Sequence, residues 1–216
     1  MGGAPPRMKT GTVLPMILRL NDTFFYLLAA TAVTLMVVPQ LWIANSQWDS
    51  LSEDVLDNGV TIDGDRLSAM AAGQGVGFEM VRDSRGRLVA RIHADRPLGD
   101  PTVLASAGVF DALQAHELDA MAGYVLRITY TLNPSEIDGA RQLHLGAFQI
   151  GIGQSAWQLT ELVDGQAEYE VMLYPPRCAP QYTFMGLWPD PTDGANMIDL
   201  HRIRVEAVEP FACSNE

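Results

Sequence analysis

Between Phe24 and Ala44 the chain reads FFYLLAATAVTLMVVPQLWIA, a run without a single charge. At about 1.5 Å of rise per residue, a helix of this length crosses a hydrocarbon core of roughly 30 Å. Lipid offers no hydrogen bonds, so a lone segment there must satisfy its own backbone as a helix. The expectation is one transmembrane helix over 24–44. Asn21, Asp22 and Thr23 supply N-cap oxygens just before it, and Tyr26 and Trp42 fall where interfacial aromatics belong. Pro39 lacks an N–H and crowds the preceding turn, which predicts a kink or an end near Val38. Ala29, Ala30 and Ala32 are small enough to let another span approach closely.

Charge sets the direction of insertion. Arg7, Lys9 and Arg19 against Asp22 give residues 1–23 a charge of +2, which leaves −14 for the rest of a chain whose formal charge is −12. Basic residues stay on the cytoplasmic side. Residues 1–23 are therefore expected as a cytoplasmic arm and 45–59 as an acidic linker, with a domain over 60–210 and a tail over 211–216 on the far side. The competing reading is a cleaved signal peptide, with Ala44-Asn45-Ser46 after Pro39 as the small-residue site. Residue frequencies and the export layout point to a bacterial inner membrane facing a periplasm. An oxidising compartment would permit a disulfide between Cys178 and Cys213, the two cysteines. The strongly acidic domain excludes nucleic acid as a partner, since a polyanion is repelled at long range.

Leu51, Val55 and Leu56 lie at helical spacing and predict a short linker helix that sets the domain off the bilayer. Beyond it, short apolar runs alternate with turn residues. Strands are expected at 60–62, 77–81, 88–94, 124–132, 143–151, 156–162, 167–174, 182–188 and 197–208, and a small helix or loop at 111–123. In YVLRITYTL at 124–132, Val125, Arg127, Thr129 and Thr131 take one face, and Tyr124, Leu126, Ile128, Tyr130 and Leu132 the dry one. Many short strands at regular spacing imply a mainly β protein built as a two-sheet antiparallel sandwich.

No catalytic constellation is visible. His93, His116, His144 and His201 stand singly, without HxH or HExxH spacing. Ser106, Ser135 and Ser155 lack a GxSxG elbow, and Gly73-Gln74-Gly75-Val76-Gly77 precedes a strand rather than a helix. A non-enzymatic role without cofactor is the expectation. Asp63 with Asp65, and Asp190 with Asp193, form acidic turns of hard oxygen ligands suited to weak calcium binding, though neither has EF-hand spacing. Trp157, Tyr182 and Trp188 are the rings that can stack on a sugar, with Asp190 as a hydroxyl acceptor. The alternative places Trp157 and Trp188 between the sheets beside Leu159 and Phe184.

The order HELDAMAGYVLRITY (116–130), SAWQLT (155–160), YEVMLY (169–174), FMGLWPD (184–190) and IDLHRIRVE (198–206) resembles jelly-roll domains of the carbohydrate-binding-module, galactose-binding-like kind. The resemblance runs from about residue 60 to 210 and implies a jelly-roll sandwich. It also implies glycan as a ligand, and so a membrane-tethered carbohydrate-binding module of the periplasm. The residues favour a different first expectation. An anchor without a catalytic constellation suits an accessory subunit that docks on the periplasmic side of a membrane complex, photosynthetic or respiratory, beside integral-membrane subunits.

Overall fold

The computed structural model describes residues 53–102, 107–149, 157–174, 182–191 and 194–211, all within the unit Ser50–Glu216. The expected span with Ala29, Ala30 and Ala32, the arm before it, and both Cys178 and Cys213 lie outside the described residues. Among the described residues, no helix is long and apolar enough to cross a membrane.

Two antiparallel sheets form a sandwich. The first holds β1 (Val60–Asp63), β3 (Val76–Arg82), β4 (Leu88–Ala94), β6 (Tyr124–Pro134), β9 (Ala167–Leu173) and β11 (Met197–Pro210). Its order is β3-β4-β11-β6-β9, with β1 also on β11. The second holds β2 (Ala71–Ala72), β5 (Val109–Ala112), β7 (Gln142–Gln149), β8 (Gln158–Glu161) and β10 (Thr183–Pro189), ordered β2-β5-β10-β7-β8. From β4 onward the chain changes sheet at nearly every connection.

Alternation explains the core. In β6 the residues Ile128, Tyr130 and Leu132 are fully buried, and they face Leu145, Met185 and Leu187 of the other sheet, equally buried. Each such side chain contributes about 1.5–3 kcal/mol by leaving water. The opposite face of β6 is drier than its polar residues predict, since Val125, Thr129 and Thr131 are also buried. β6 is paired on both edges, by β9 and β11, and the Thr131 hydroxyl donates to Glu168 of β9 at 3.5 Å. The Tyr130 hydroxyl donates to the Gly146 carbonyl at 3.1 Å and so ties the two sheets together.

The β3–β4 hairpin shows turn chemistry at work. Asp83 accepts the Arg85 and Arg87 N–H groups at 2.9 and 2.8 Å, and Gly86 takes a φ of +76° that other residues avoid.

Three departures from the sequence reading stand out. Residues 53–58 (α1) are helical, as expected, but Val55 is buried in the core and Leu56 packs against it, so these residues pack on the sandwich. The stretch 111–123 is not one insert. It begins with the end of β5, and only Ala115–Ala120 (α2) is helical. A 3₁₀ helix over Gly64–Ala69 and the two-residue β2 gave no periodic signal.

Candidate ligand-binding surfaces

Tyr182, Phe184, Gly186 and Trp188 alternate with buried Met185 and Leu187, which places them on the outer face of the five-stranded sheet. Register sets Phe184 opposite Phe148, Gly186 opposite Gly146 and Trp188 opposite His144. Trp157, just ahead of β8, meets Phe148 edge to face, with ring centroids 4.8 Å apart at 63°. A Cβ on Gly146 would lie 2.5 Å from Phe148 and 3.1 Å from Trp157, and one on Gly186 would lie 2.9 and 3.1 Å from the same rings. The two glycines thus leave the room into which both rings pack, and over Gly186 the Ala107 carbonyl lies closer still, at 2.3 Å. Phe110 and Phe184 extend the patch with a T-shaped contact at 5.4 Å.

The predicted stacking residues reach this one face but not one plane. Trp157 is half-buried, and Tyr182, just before β10, is 64% exposed. Trp188 is 2% exposed, and its indole N–H donates to the Arg96 carbonyl at 2.9 Å. With both ring faces covered it cannot stack on a sugar. Trp188 belongs to the buried core cluster, and Trp157 packs against that cluster. Asp190 follows β10, where its backbone N–H donates to Gln142 at 3.0 Å and its charge acts on His144. Burial is the main influence on His144 and lowers its pKa in spite of Asp190.

The six-stranded sheet carries a second feature that no motif announces. One edge of β11 is shared: β4 pairs with it from Met197 to Leu200, and β1 from Arg202 to Val205. On the other edge the register with β6 slips between Leu200 and Arg202. The extra residue bends the strand and re-aims its side chains, as a β-bulge does. Where the two edge strands part there is a cavity of about 350 Å³ lined by Asp63, Arg87, Thr131, Gln166, His201 and Arg202 over Leu88 and Val89. Arg87 donates to Asp83 at 2.8 Å and to Gln166 at 3.2 Å, and Arg202 donates to Glu168 at 3.2 Å. His201 hydrogen-bonds Asn133 through Nε2, and its Nδ1 lies 3.9 Å from Asp83. Burial, aided by Arg87, lowers the His201 pKa against the pull of Asp83 and Asp199.

The sequence held one trace of this notch. Buried apolar positions in β11 run Ile198, Leu200 and then Ile203, Val205, so the apolar alternation slips by one residue at His201-Arg202.

The remaining candidates are scattered. Asp63 ends β1, and Asp65 opens the 3₁₀ helix, its carbonyl taking the Ser68 hydroxyl at 2.6 Å. Asp193 lies outside the described residues. Among the described residues no group of three or more His, Cys, Asp or Glu side chains is arranged to hold a metal. Two carboxylates do meet at one end of the sandwich, Asp111 and Glu117. Arg66 clamps Glu117 through two hydrogen bonds of 2.7 and 2.9 Å and lies 3.8 Å from Asp111. Glu117 also accepts the Gln114 N–H at 2.7 Å in the capping box of α2. Glu117 is thus occupied on every side, as the tie between the 3₁₀ helix and α2.

Fold and surfaces together define a mainly β, two-sheet antiparallel sandwich with an aromatic patch on one sheet and a polar notch on the other. No family model matches the chain, and no curated protein does. Among solved structures, it is similar to the CBM22-1 xylan-binding domain of Paenibacillus barcinonensis Xyn10C, with a TM-score of 0.42 and 13% identity over 69% of this chain and 94% of that one. It is also similar to the CBM22-1 and GH10 modules of a Clostridium thermocellum endo-1,4-β-D-xylanase complexed with xylohexaose, with a TM-score of 0.42 and 9% identity over 67% of this chain and 27% of that one.

Proposed function

We propose that this chain is a non-catalytic, membrane-tethered binding module that engages glycan on the outer face of its five-stranded sheet. The observation that carries this reading is Trp157, half-buried, with its ring held by Phe148 in the room left by Gly146 and Gly186. A sugar presents an apolar face to an aromatic ring, and a ring already fixed in place loses little entropy on binding. Tyr182 offers a second, exposed ring on the same face. The tether rests on the uncharged run at 24–44, with the sandwich on the periplasmic side of a bacterial inner membrane.

The uncharged run, with Ala29, Ala30 and Ala32, also supports the second reading, an accessory subunit beside integral-membrane partners. Purification of the full chain from membranes in mild detergent separates the two. On the first reading the protein is retained on at least one immobilised β-linked polysaccharide or peptidoglycan, and Trp157→Ala abolishes retention while the fold survives. Stoichiometric recovery with integral-membrane subunits, and no retention on any glycan, overturns it in favour of the second.

A further inference from the structure

The notch on the six-stranded sheet lies apart from the aromatic patch and has a different chemistry. Its volume of about 350 Å³ falls at the lower end of the range for small-molecule sites, roughly 300–1,000 Å³. Its donors outnumber its acceptors. A guanidinium carries five N–H groups, and the hydrogen bonds of Arg202 to the described residues use Nη2 alone. The amide oxygen of Gln166 is taken by Arg87, which leaves its NH₂ as a donor. On the other side stands Asp63, an exposed carboxylate that makes no capping bond to the helix it precedes. Thr131, buried and giving its hydroxyl to Glu168 at 3.5 Å, completes the wall.

This set discriminates among ligands. A neutral polyol matches Asp63 and Gln166 but leaves unused the guanidinium N–H groups that Arg202 does not give to Glu168. A small bare anion satisfies an arginine, whose planar fork fits a carboxylate, but it neither fills the space nor gives Asp63 a donor. A ring bearing both hydroxyls and one carboxylate satisfies every group. We propose that the notch binds a small hydroxylated carboxylate of single-ring size, a sugar acid.

Titration calorimetry on the full chain in detergent tests this, with glucuronate as the probe and glucose and acetate as controls. Glucuronate is expected to bind at least about tenfold more tightly than either control. Arg202→Gln is expected to cost about tenfold for glucuronate and bring it level with glucose. Arg202→Lys, which keeps the charge without the fork, is expected to lose several-fold and guards against a folding defect in the first variant. Repeating the titrations in a Trp157→Ala background removes any contribution from the aromatic face and keeps the two outcomes separate. Equal affinity for glucose and glucuronate overturns the proposal. So does unchanged binding in Arg202→Gln, or no heat from glucuronate up to roughly 10 mM.

Discussion

Arg66 grips Glu117 with two hydrogen bonds of 2.7 and 2.9 Å, and this pair joins segments 51 residues apart in the chain. The carboxylate is buried while the guanidinium is about one-quarter exposed, so the two partners are not equivalent. Removing the arginine strands the Glu117 charge and takes away the cation nearest Asp111. Burial already raises the Asp111 pKa, and its Oδ2 has no hydrogen-bond partner among the described residues. Arg66→Ala is expected to cost about 2–4 kcal/mol, somewhat below the usual figure for a fully buried pair because Arg66 is partly hydrated. Arg66→Met with Glu117→Gln is expected to recover part of that loss. Urea unfolding of the three proteins checks this, and a change below about 0.5 kcal/mol for Arg66→Ala refutes the clamp.

Acid is expected to weaken the sandwich through two histidines. Burial lowers the folded-state pKa of both His144 and His201, so the unfolded chain takes up protons first as pH falls. Their stabilising contribution is present in full above the unfolded value near 6.5 and is lost as pH falls from there through the lowered folded values. Glutamine at 201 keeps an N–H donor for Asn133. The double variant His144→Gln, His201→Gln is expected to show a flatter loss of thermal stability between about pH 6.5 and 5 than the parent. Parallel curves for the two proteins contradict the assignment.

A disulfide between Cys178 and Cys213 is expected from where their segments set out. Tyr174, after β9, and Phe211, after β11, hold their rings 6.5 Å apart on either side of β6. Cys178 follows the first by four residues and Cys213 the second by two. At about 3.3–3.6 Å per extended residue, the two chains can meet. Closing that loop is worth roughly 3–4 kcal/mol in the chain-entropy account. Unreduced intact mass should lack two hydrogens relative to the reduced chain, and reduction should lower the unfolding midpoint. An unreduced mass matching two free thiols rules the bond out.

How far the chain announced its fold depended on the kind of signal. LVARIHA alternates cleanly between turn residues, and the expected strand and the observed one coincide at Leu88–Ala94. The same logic found the dry face of β6. It failed at Val109–Ala112, where the run continues into DALQAHELDA and helix-forming residues mask a four-residue strand held by its neighbour β10. The candidate site divided likewise. The sequence singled out Trp157 and Tyr182 by residue type, but nothing local told Trp188 from them. The difference is an acceptor 92 residues earlier, the Arg96 carbonyl, which covers Trp188 and takes its N–H.

Alternation, turn residues and the charge-free run at 24–44 are relations between near neighbours, so the amino-acid order alone determined the mainly β character and the expectation of an anchor. The notch was decided elsewhere. It exists because β1 and β4, from distant parts of the chain, share one edge of β11 and part where that strand bulges. Pairing across more than a hundred residues is settled by which faces exclude water together, a property of the folded whole that no short window of sequence contains.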